Sequence, residues 1–302
     1  MPLLDLVICT YDNARLLDAT LASVGAQKDL SGIGEVVVVD NNCTDDTREV
    51  VARYARAGVV PVRVVAETRQ GLTPARVRGV TSTSAPWIAF VDDDCLLADD
   101  WAGQAVRFAA EHPECGAFGG RVTLEWEVPP PRYVLRHRYA YAGKQHGEVA
   151  HRRPWLAGIG MVVRREALER SGWIDEQFLD DRIGRRLVSG GDMEIALRLA
   201  AGHELWYNPA CRLRHVIPAR RMTREYLKRM QAGLGASRHN AEALRWRGSY
   251  RTWFLYSVIA SIGVAVLGIP ALRGWWSAMW GMYKMDPSVR RRLVGCARLD
   301  LC

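Results

Sequence analysis

The sequence predicts an α/β fold, a mostly parallel central sheet flanked by helices, followed by a helical tail. Three observations carry this reading. Over the first hundred residues, short continuous apolar runs rich in Val and Ile alternate with amphipathic stretches, the pattern of a parallel sheet covered on both faces. Three of the runs end in polar sets, Thr10-Tyr11-Asp12, Asp40-Asn41-Asn42 and Asp92-Asp93-Asp94, and open sheets of this kind bind ligands outside the carboxyl ends of their strands. From about residue 223 the chain turns basic and then strongly apolar.

Leu4 to Cys9 reads as a buried strand, Asn13 to Gln27 as an amphipathic helix and Glu35 to Asp40 as a second buried strand. The spacing then predicts a helix over 44–57, a strand over 62–66, a helix opening at Thr73-Pro74 and a strand over 87–92. Thr73 as cap with Pro74 in the first turn is a favourable helix start. Beyond it, Ala117 to Leu124 reads as a strand, and 129–148, rich in Arg, His and Tyr, as a long mobile loop. Gly160 to Arg164 reads as a strand, Gly190-Gly191-Asp192-Met193-Glu194 opens an apolar helix over 195–201, and Cys211 to Arg214 reads as a further strand. The expected organisation is one unit over 1–222, with halves at 1–100 and 101–222, and a tail over 223–302.

A composition of 49% apolar and 25% charged residues excludes a largely disordered chain. The seven cysteines form no C-x-x-C pair, so neither a zinc site nor a disulfide framework is expected, and reduced cytosolic thiols follow. The amino terminus lacks a basic segment followed by an apolar one, so no cleaved signal peptide is expected. The net charge is +8, and from Arg212 to Arg251 eleven Arg and Lys stand against two acids, Glu225 and Glu242. No helix-turn-helix, RNP-type or zinc-finger pattern accompanies this segment, so no nucleic-acid partner is expected; a membrane surface or an anionic substrate fits better.

The triple acid Asp92-Asp93-Asp94 follows the apolar run Trp87-Ile88-Ala89-Phe90. Carboxylates released together at a strand end suit a hard divalent cation, Mg2+ or Mn2+, whose other positions go to substrate phosphates. Taken alone they equally suit a polar turn before a helix. No GxGxxG follows the first strand and no GxxxxGK occurs, which removes the dinucleotide and P-loop signatures.

VICTYDNARLLDATLASVGAQ at 7–27, EVVVVDNNCTDDT at 35–47, GLTPARVRGV at 71–80, WIAFVDDDC at 87–95, SGGDMEIALRL at 189–199 and RLRHVIPARR at 212–221 occur in an order that resembles family 2 inverting glycosyltransferases of the GT-A fold, most of all bacterial polysaccharide-assembly enzymes. The resemblance covers residues 3 to about 222. It implies a nucleotide-sugar donor, with Thr10, Tyr11 and Asp12 framing the base and Asp40 reaching base or ribose. It implies Arg76 near the diphosphate or donor sugar, although Val77 stands where the family's triplet has Asn, and Arg76 or Arg78 facing solvent is the bland alternative. It further implies that Asp92 is the ribose-side or metal-side acid of a DxD motif and Asp94 the direct metal ligand, that Asp93 joins them on the nucleotide side and supports the turn, and that His215 is a further metal ligand, an acceptor contact or a structural His. Asp192 is the implied general base, taking the proton of an acceptor hydroxyl; it equally suits a helix cap at Met193, and Glu194 is the alternative base. Trp155, Trp173 and Trp206 suit either sugar stacking or the core, and Arg220 and Arg221 suit a pyrophosphate.

The implied function is metal-dependent transfer from a nucleotide-diphosphate sugar, a UDP-sugar, to a glycan or lipid-linked saccharide. Two alternatives stand beside it, a sugar-phosphate nucleotidyltransferase and a non-catalytic membrane-bound nucleotide-sugar binding protein. The first needs a Gly-rich basic loop that Tyr11 to Leu21 lacks; Asp92, Asp94 and Asp192 together argue against the second.

Trp253 to Leu272 is a run of 20 residues without charge, long enough to span a bilayer. Arg and Lys flank it on both sides, which disfavours translocation of either end. The expectation is therefore a re-entrant or interfacial helix at the cytoplasmic face of the plasma (inner) membrane, with Trp253, Tyr256, Trp275, Trp276 and Trp280 at the headgroups; the alternative is a core helix packed on the first unit.

Overall fold

The computed structural model describes residues 2–179, 181–183 and 187–294. Strand Leu4–Thr10 (β1) leads through helix Ala14–Gly25 (α1) to Ile33–Asp40 (β2), and Thr47–Ala57 (α2) leads to Val62–Ala66 (β3). Leu72–Thr81 (α3) precedes Trp87–Phe90 (β4), the triple acid, Cys95–Leu97 (β5) and Trp101–Glu111 (α4). Then come Cys115–Trp126 (β6), Arg132–Arg136 (α5), His151–Arg152 (β7), Met161–Arg164 (β8), Arg165–Arg170 (α6), Gly191–Leu199 (α7) and Glu204–Ile217 (β9). The tail holds Arg224–Leu244 (α8), Tyr250–Val264 (α9), Ile269–Lys284 (α10) and Pro287–Leu293 (α11).

Among the described residues the strands form one sheet in the order β3-β2-β1-β4-β8-β6-β9-β5, with β7 on β9. The four strands of the first hundred residues that read as apolar runs are parallel, and β8 joins them antiparallel to β4. Continuous apolar runs follow from burial on both faces. Leu6, Ile8, Val36 and Val38 pack with Leu17, Leu21, Trp101 and Phe108, while Val7, Val37 and Val39 pack with Ala75, Val80, Trp173 and Ile195 on the other side. The triple acid is the crossing point of the sheet: β4 ends in its centre, and β5 reappears at its edge, antiparallel to β9 with Cys95 opposite His215.

Two expectations are corrected. Helix α3 starts at Leu72 after Gly71, so Thr73 lies inside its first turn and does not cap it. The segment 129–148 is tied down by α5, by a 3-10 turn at Arg138–Tyr141 and by Lys144 paired with Val122. Tyr133 Oη donates to the Met222 carbonyl at 2.7 Å and Tyr141 Oη to the Arg221 carbonyl at 2.9 Å. A reading of turn residues counts Pro and charge but not the carbonyls that two tyrosines find across the fold.

In the tail, Thr223 caps α8 by accepting from the Tyr226 N–H. The apolar run breaks at Gly268, whose φ of 103° is open to glycine, and α10 folds back along α8. Their backbones touch: a Cβ on Gly235 would collide with the Ala271 carbonyl, and one on Gly274 with that of Ala232. His239 lies between the rings of Trp253 and Trp275 at 5.2 and 5.1 Å, and Trp275 Nε1 donates to the Ser257 carbonyl at 3.0 Å. Trp253 and Trp275, expected at the headgroups, are therefore buried core residues; helical spacing alone does not say which aromatic faces inward.

Burial lowers the His239 pKa from 6.5 to about 4. A neutral His in the fold and a protonated one in the unfolded chain mean that stability is full above pH 6.5 and falls as pH drops towards 4. The loss across this window should be about 3 kcal/mol. Urea unfolding at a series of pH values checks it: His239→Leu should lack that component, and an unchanged pH dependence in the variant would place it elsewhere.

Candidate functional site

A cavity of about 590 Å³ opens beyond the carboxyl ends of β1, β2 and β4, and its wall includes Thr10, Asn41 and all three acids of the triplet. Three carboxylates adjacent at a buried strand end repel one another. Burial and the neighbouring Asp94 raise Asp92, and raise Asp93 to about 7 in spite of the bonds it accepts from Thr10 Oγ1 at 2.7 Å and Asn13 Nδ2 at 2.9 Å. Asp94 behaves differently. Burial acts to raise it, yet His215 in its protonated form and Arg221 outweigh burial and hold it well below the ordinary carboxylate range.

These two partners come from β9 and the turn after it. Arg221 Nη1 donates to Asp94 Oδ2 at 2.6 Å, and His215 Nε2 faces Asp94 Oδ1 at 3.5 Å. His215 Nδ1 lies 2.9 Å from the Tyr141 carbonyl, which can only accept. Nδ1 therefore carries the proton, and in the neutral ring the Nε2 lone pair points at Asp94. Two acceptors face to face are the arrangement a cation satisfies. Ligand atoms of Asp92, Asp94 and Cys95 lie within 4.8 Å of one another, but burial and the three acids raise the Cys95 thiol well above its usual range, which keeps it protonated. The remaining donors are carboxylate and imidazole, a set that fits Mn2+ or Mg2+.

The opposite wall is organised by Arg76. Its guanidinium is buried, with Nη1 3.1 Å from Asp181 Oδ2, and burial works against its charge while Asp181, Asp192 and Asp92 outweigh it. Asp192 lies in the first turn of α7, where a helix N-terminus favours negative charge. Its Oδ2 accepts the Gly158 N–H at 2.7 Å and its Oδ1 the Met193 N–H at 3.0 Å. A Cβ at Gly158 would lie 2.8 Å from Arg76 Nη2 and 2.9 Å from Asp192 Oδ2, so the Asp192 carboxylate and the guanidinium meet at this glycine. Lys144, its Nζ 4.8 Å from the Trp155 ring centre, lines the same part of the cavity. The cavity thus offers an acidic floor whose donors suit a cation, a carboxylate positioned by backbone donors, and a buried charged guanidinium paired with Asp181 and lying over the Phe90 ring.

The family model described as glycosyl transferase family 2 matches residues 5–172. The chain belongs to this family. Glycosyltransferase AglE of Haloferax volcanii is 25% identical over 209 residues, 68% of this chain and 64% of the relative. The glucosyl-dolichyl phosphate glucuronosyltransferase of the same organism is 24% identical over 216 residues, 69% and 67% of the two chains. The chain thus spans just under two thirds of the length of AglE. Among solved structures, a mannosyltransferase of Pyrobaculum calidifontis in complex with GDP-Man and Mn2+ superposes with a TM-score of 0.59 at 22% identity, over 98% of this chain and 86% of that one. GalNAc-T7 with UDP, GalNAc and Mn2+ gives 0.60 at 15% identity, over 93% and 57%. The fold is GT-A.

Of the family residues read from the sequence, Thr10, Tyr11, Arg76, Asp92, Asp93, Asp94 and Asp192 line the cavity, and His215 stands behind Asp94. Asp12 and Asp40 are outside its wall. Asp12 Oδ1 accepts the Thr44 N–H at 2.7 Å, and the buried Asp40 is held by the Cys43 N–H and by Arg48 Nε, both at 2.7 Å. Asn41 replaces them at the wall, its side chain bridging to the Glu67 and Arg69 carbonyls and the Gly71 N–H. Glu194 is excluded as an alternative base: it is buried, accepting from the Phe178 and Leu179 N–H groups and paired with Arg198 at 2.6 Å. Trp155 lines the cavity, whereas Trp173 and Trp206 are packed with the core. Sequence reasoning missed Asp181, Arg182, Lys144 and Arg229; the Asp181-Arg182 pair ahead of Gly190-Gly191-Asp192 was an available signal.

Burial raises the Asp181 carboxyl to about 6 even beside Arg76, so both partners depend on the pair. Asp181→Asn should cost about 3 kcal/mol of stability by leaving Arg76 without its closest counter-charge. Urea unfolding checks this; a loss under about 1 kcal/mol would mean that Asp192 and Asp92 suffice for Arg76.

Proposed function

We propose that the chain is a metal-dependent, inverting glycosyltransferase that moves a sugar from a nucleotide-diphosphate sugar, read as a UDP-sugar, to a hydroxyl of a glycan or lipid-linked saccharide in polysaccharide assembly. The observation that carries it is one cavity lined by both the Asp92–Asp94 floor and Asp192. The catalytic unit is taken as 1–222 and the membrane-associating tail as 223–302, acting at the cytoplasmic face of the plasma (inner) membrane. The likeness to a transferase named for glucosyl-dolichyl phosphate supports a lipid-linked acceptor.

The donor base lies against Thr10, Tyr11 and Asn41, and its diphosphate over the acidic floor near Arg220 and Arg221. A Mg2+ or Mn2+ ion held by Asp92, Asp94 and His215 would supply Lewis-acid neutralisation of the departing diphosphate. Arg76, already charged, adds fixed positive potential where that charge develops. Asp192 takes the acceptor proton while the acceptor oxygen bonds the anomeric carbon from the face opposite the nucleotide, and the bond to the diphosphate breaks. The Gly158 and Met193 N–H groups fix the carboxylate and leave each oxygen a further lone pair for the acceptor hydroxyl.

Asp192→Asn retains shape and removes the proton acceptor. Donor binding should survive while turnover falls about a hundredfold or more; a wild-type rate in a transfer assay would place the base elsewhere. Asp94→Ala should abolish Mn2+ binding followed by electron paramagnetic resonance, and transfer with it. Full activity of this variant in EDTA would overturn the metal-dependent reading.

A further inference from the structure

Helix α9 is built inside out. Its buried positions are Trp253, Ser257, Ser261 and Val264, so two serines turn towards α10. The outward stripe is Leu255, Ile259 and Ile262, spaced four and three residues apart on one helical face, and Val266 continues it in the 3-10 turn Ala265–Leu267. Ile262 is 75% exposed and Val266 88%. A helix packed on a core in water shows the reverse order. The stretch Tyr250–Leu267 has a mean hydropathy of 1.4, yet only 22% of it is buried.

The neighbouring surface identifies what covers this face. On α10, Arg273, Trp276, Trp280 and Lys284 form an exposed stripe of indole and cation, with Lys284 Nζ 5.1 Å over the Trp280 ring. Arg251 stands one turn before Leu255 on the aliphatic stripe. No acid occurs between Tyr250 and Met285. Aliphatic residues flanked by indoles and unopposed cations match the boundary between acyl chains and anionic headgroups.

We propose that the α9–α10 hairpin docks on the surface of an anionic bilayer, inserting the Leu255–Val266 stripe and the turn at Ile269 into one leaflet without spanning it. Both ends stay on one side because Gly268 reverses the chain and the Trp253–His239–Trp275 core binds the two helices to α8. The docking also orients the cavity. Ala271, two residues past Ile269, abuts Gly235 of α8, and Leu234 beside it lines the cavity wall. The inserted turn therefore sits next to the cavity, where the polar head of a lipid-linked acceptor enters while its lipid remains in the leaflet. This last step rests on the transferase reading; the docking itself does not.

The test uses the full chain with vesicles of phosphatidylcholine alone and with about three parts in ten phosphatidylglycerol, followed by flotation. The wild type should float with the anionic vesicles, and the combined variant Ile259→Ser, Ile262→Ser, Val266→Ser and Ile269→Ser should bind at least about tenfold more weakly. All four residues face outward, so donor hydrolysis by the variant should equal that of the wild type and reports that it is folded. Equal flotation of the two proteins overturns the proposal. So does a wild type that ignores vesicles, which points to a protein partner, and so does a dimer by light scattering that the variant dissociates, which assigns the face to a second copy. Retention on vesicles through an alkaline carbonate wash would show a spanning helix and overturn docking on one leaflet. If the wild type floats but turns over no nucleotide sugar, docking stands and the transferase reading fails.

Discussion

Asp94 carries its charge in a place that opposes it, next to two other carboxylates and largely buried. The ion pair with Arg221 makes this possible, and the facing imidazole of His215 adds to it in its protonated form. Neither partner belongs to the first hundred residues. Both arrive because the chain leaves the sheet centre after β4, crosses the acidic turn and pairs β5 with β9, so that Cys95 lies opposite His215. The second half of the fold thereby completes a site whose acids belong to the first. A single residue links the two partners of Asp94: the Tyr141 carbonyl accepts from His215 Nδ1, and the Tyr141 hydroxyl donates to the Arg221 carbonyl.

That residue marks where the sequence ceases to be legible. The apolar runs of β1, β2 and β4 announce a doubly covered sheet because each successive side chain enters a different core, and the polar sets at their ends follow from the termination of burial. Local pattern suffices there. Tyr141 sits in a stretch of Pro, Arg, His and Tyr whose order depends on carbonyls some 80 residues away, and local pattern holds no record of such partners. The same reason hides Asp181, whose meaning comes from a guanidinium 105 residues earlier. Asp40 differs in the other direction. A carboxylate at a strand end reads as a ligand contact, but Asp40 is buried outside the cavity wall, where the Cys43 N–H and Arg48 hold it.

The tail shows how far composition and arrangement diverge. Twenty uncharged residues flanked by Arg read as a single interfacial helix, yet the run is two helices and a reversal. Gly235 and Gly274 let α8 and α10 touch along their backbones. On α9, Ser257 and Ser261 turn inward with Trp253 and Val264, and the Ser257 carbonyl accepts from Trp275 Nε1, while Ile259 and Ile262 are left outside.

This exclusion ties the surface of the molecule to its chemistry. Helix α8 carries Tyr226, Arg229 and Leu234 into the cavity wall and receives α10 at Ala232 and Gly235. A backbone contact without intervening side chains has no soft rotamers to absorb movement. Whatever surface the hairpin rests on, the cavity keeps a set position relative to it, and on the function proposed above an acceptor held at that surface would meet Asp192 by geometry rather than by search. Alignment of this kind supplies part of the barrier reduction in group transfer by removing orientational freedom before the reaction begins.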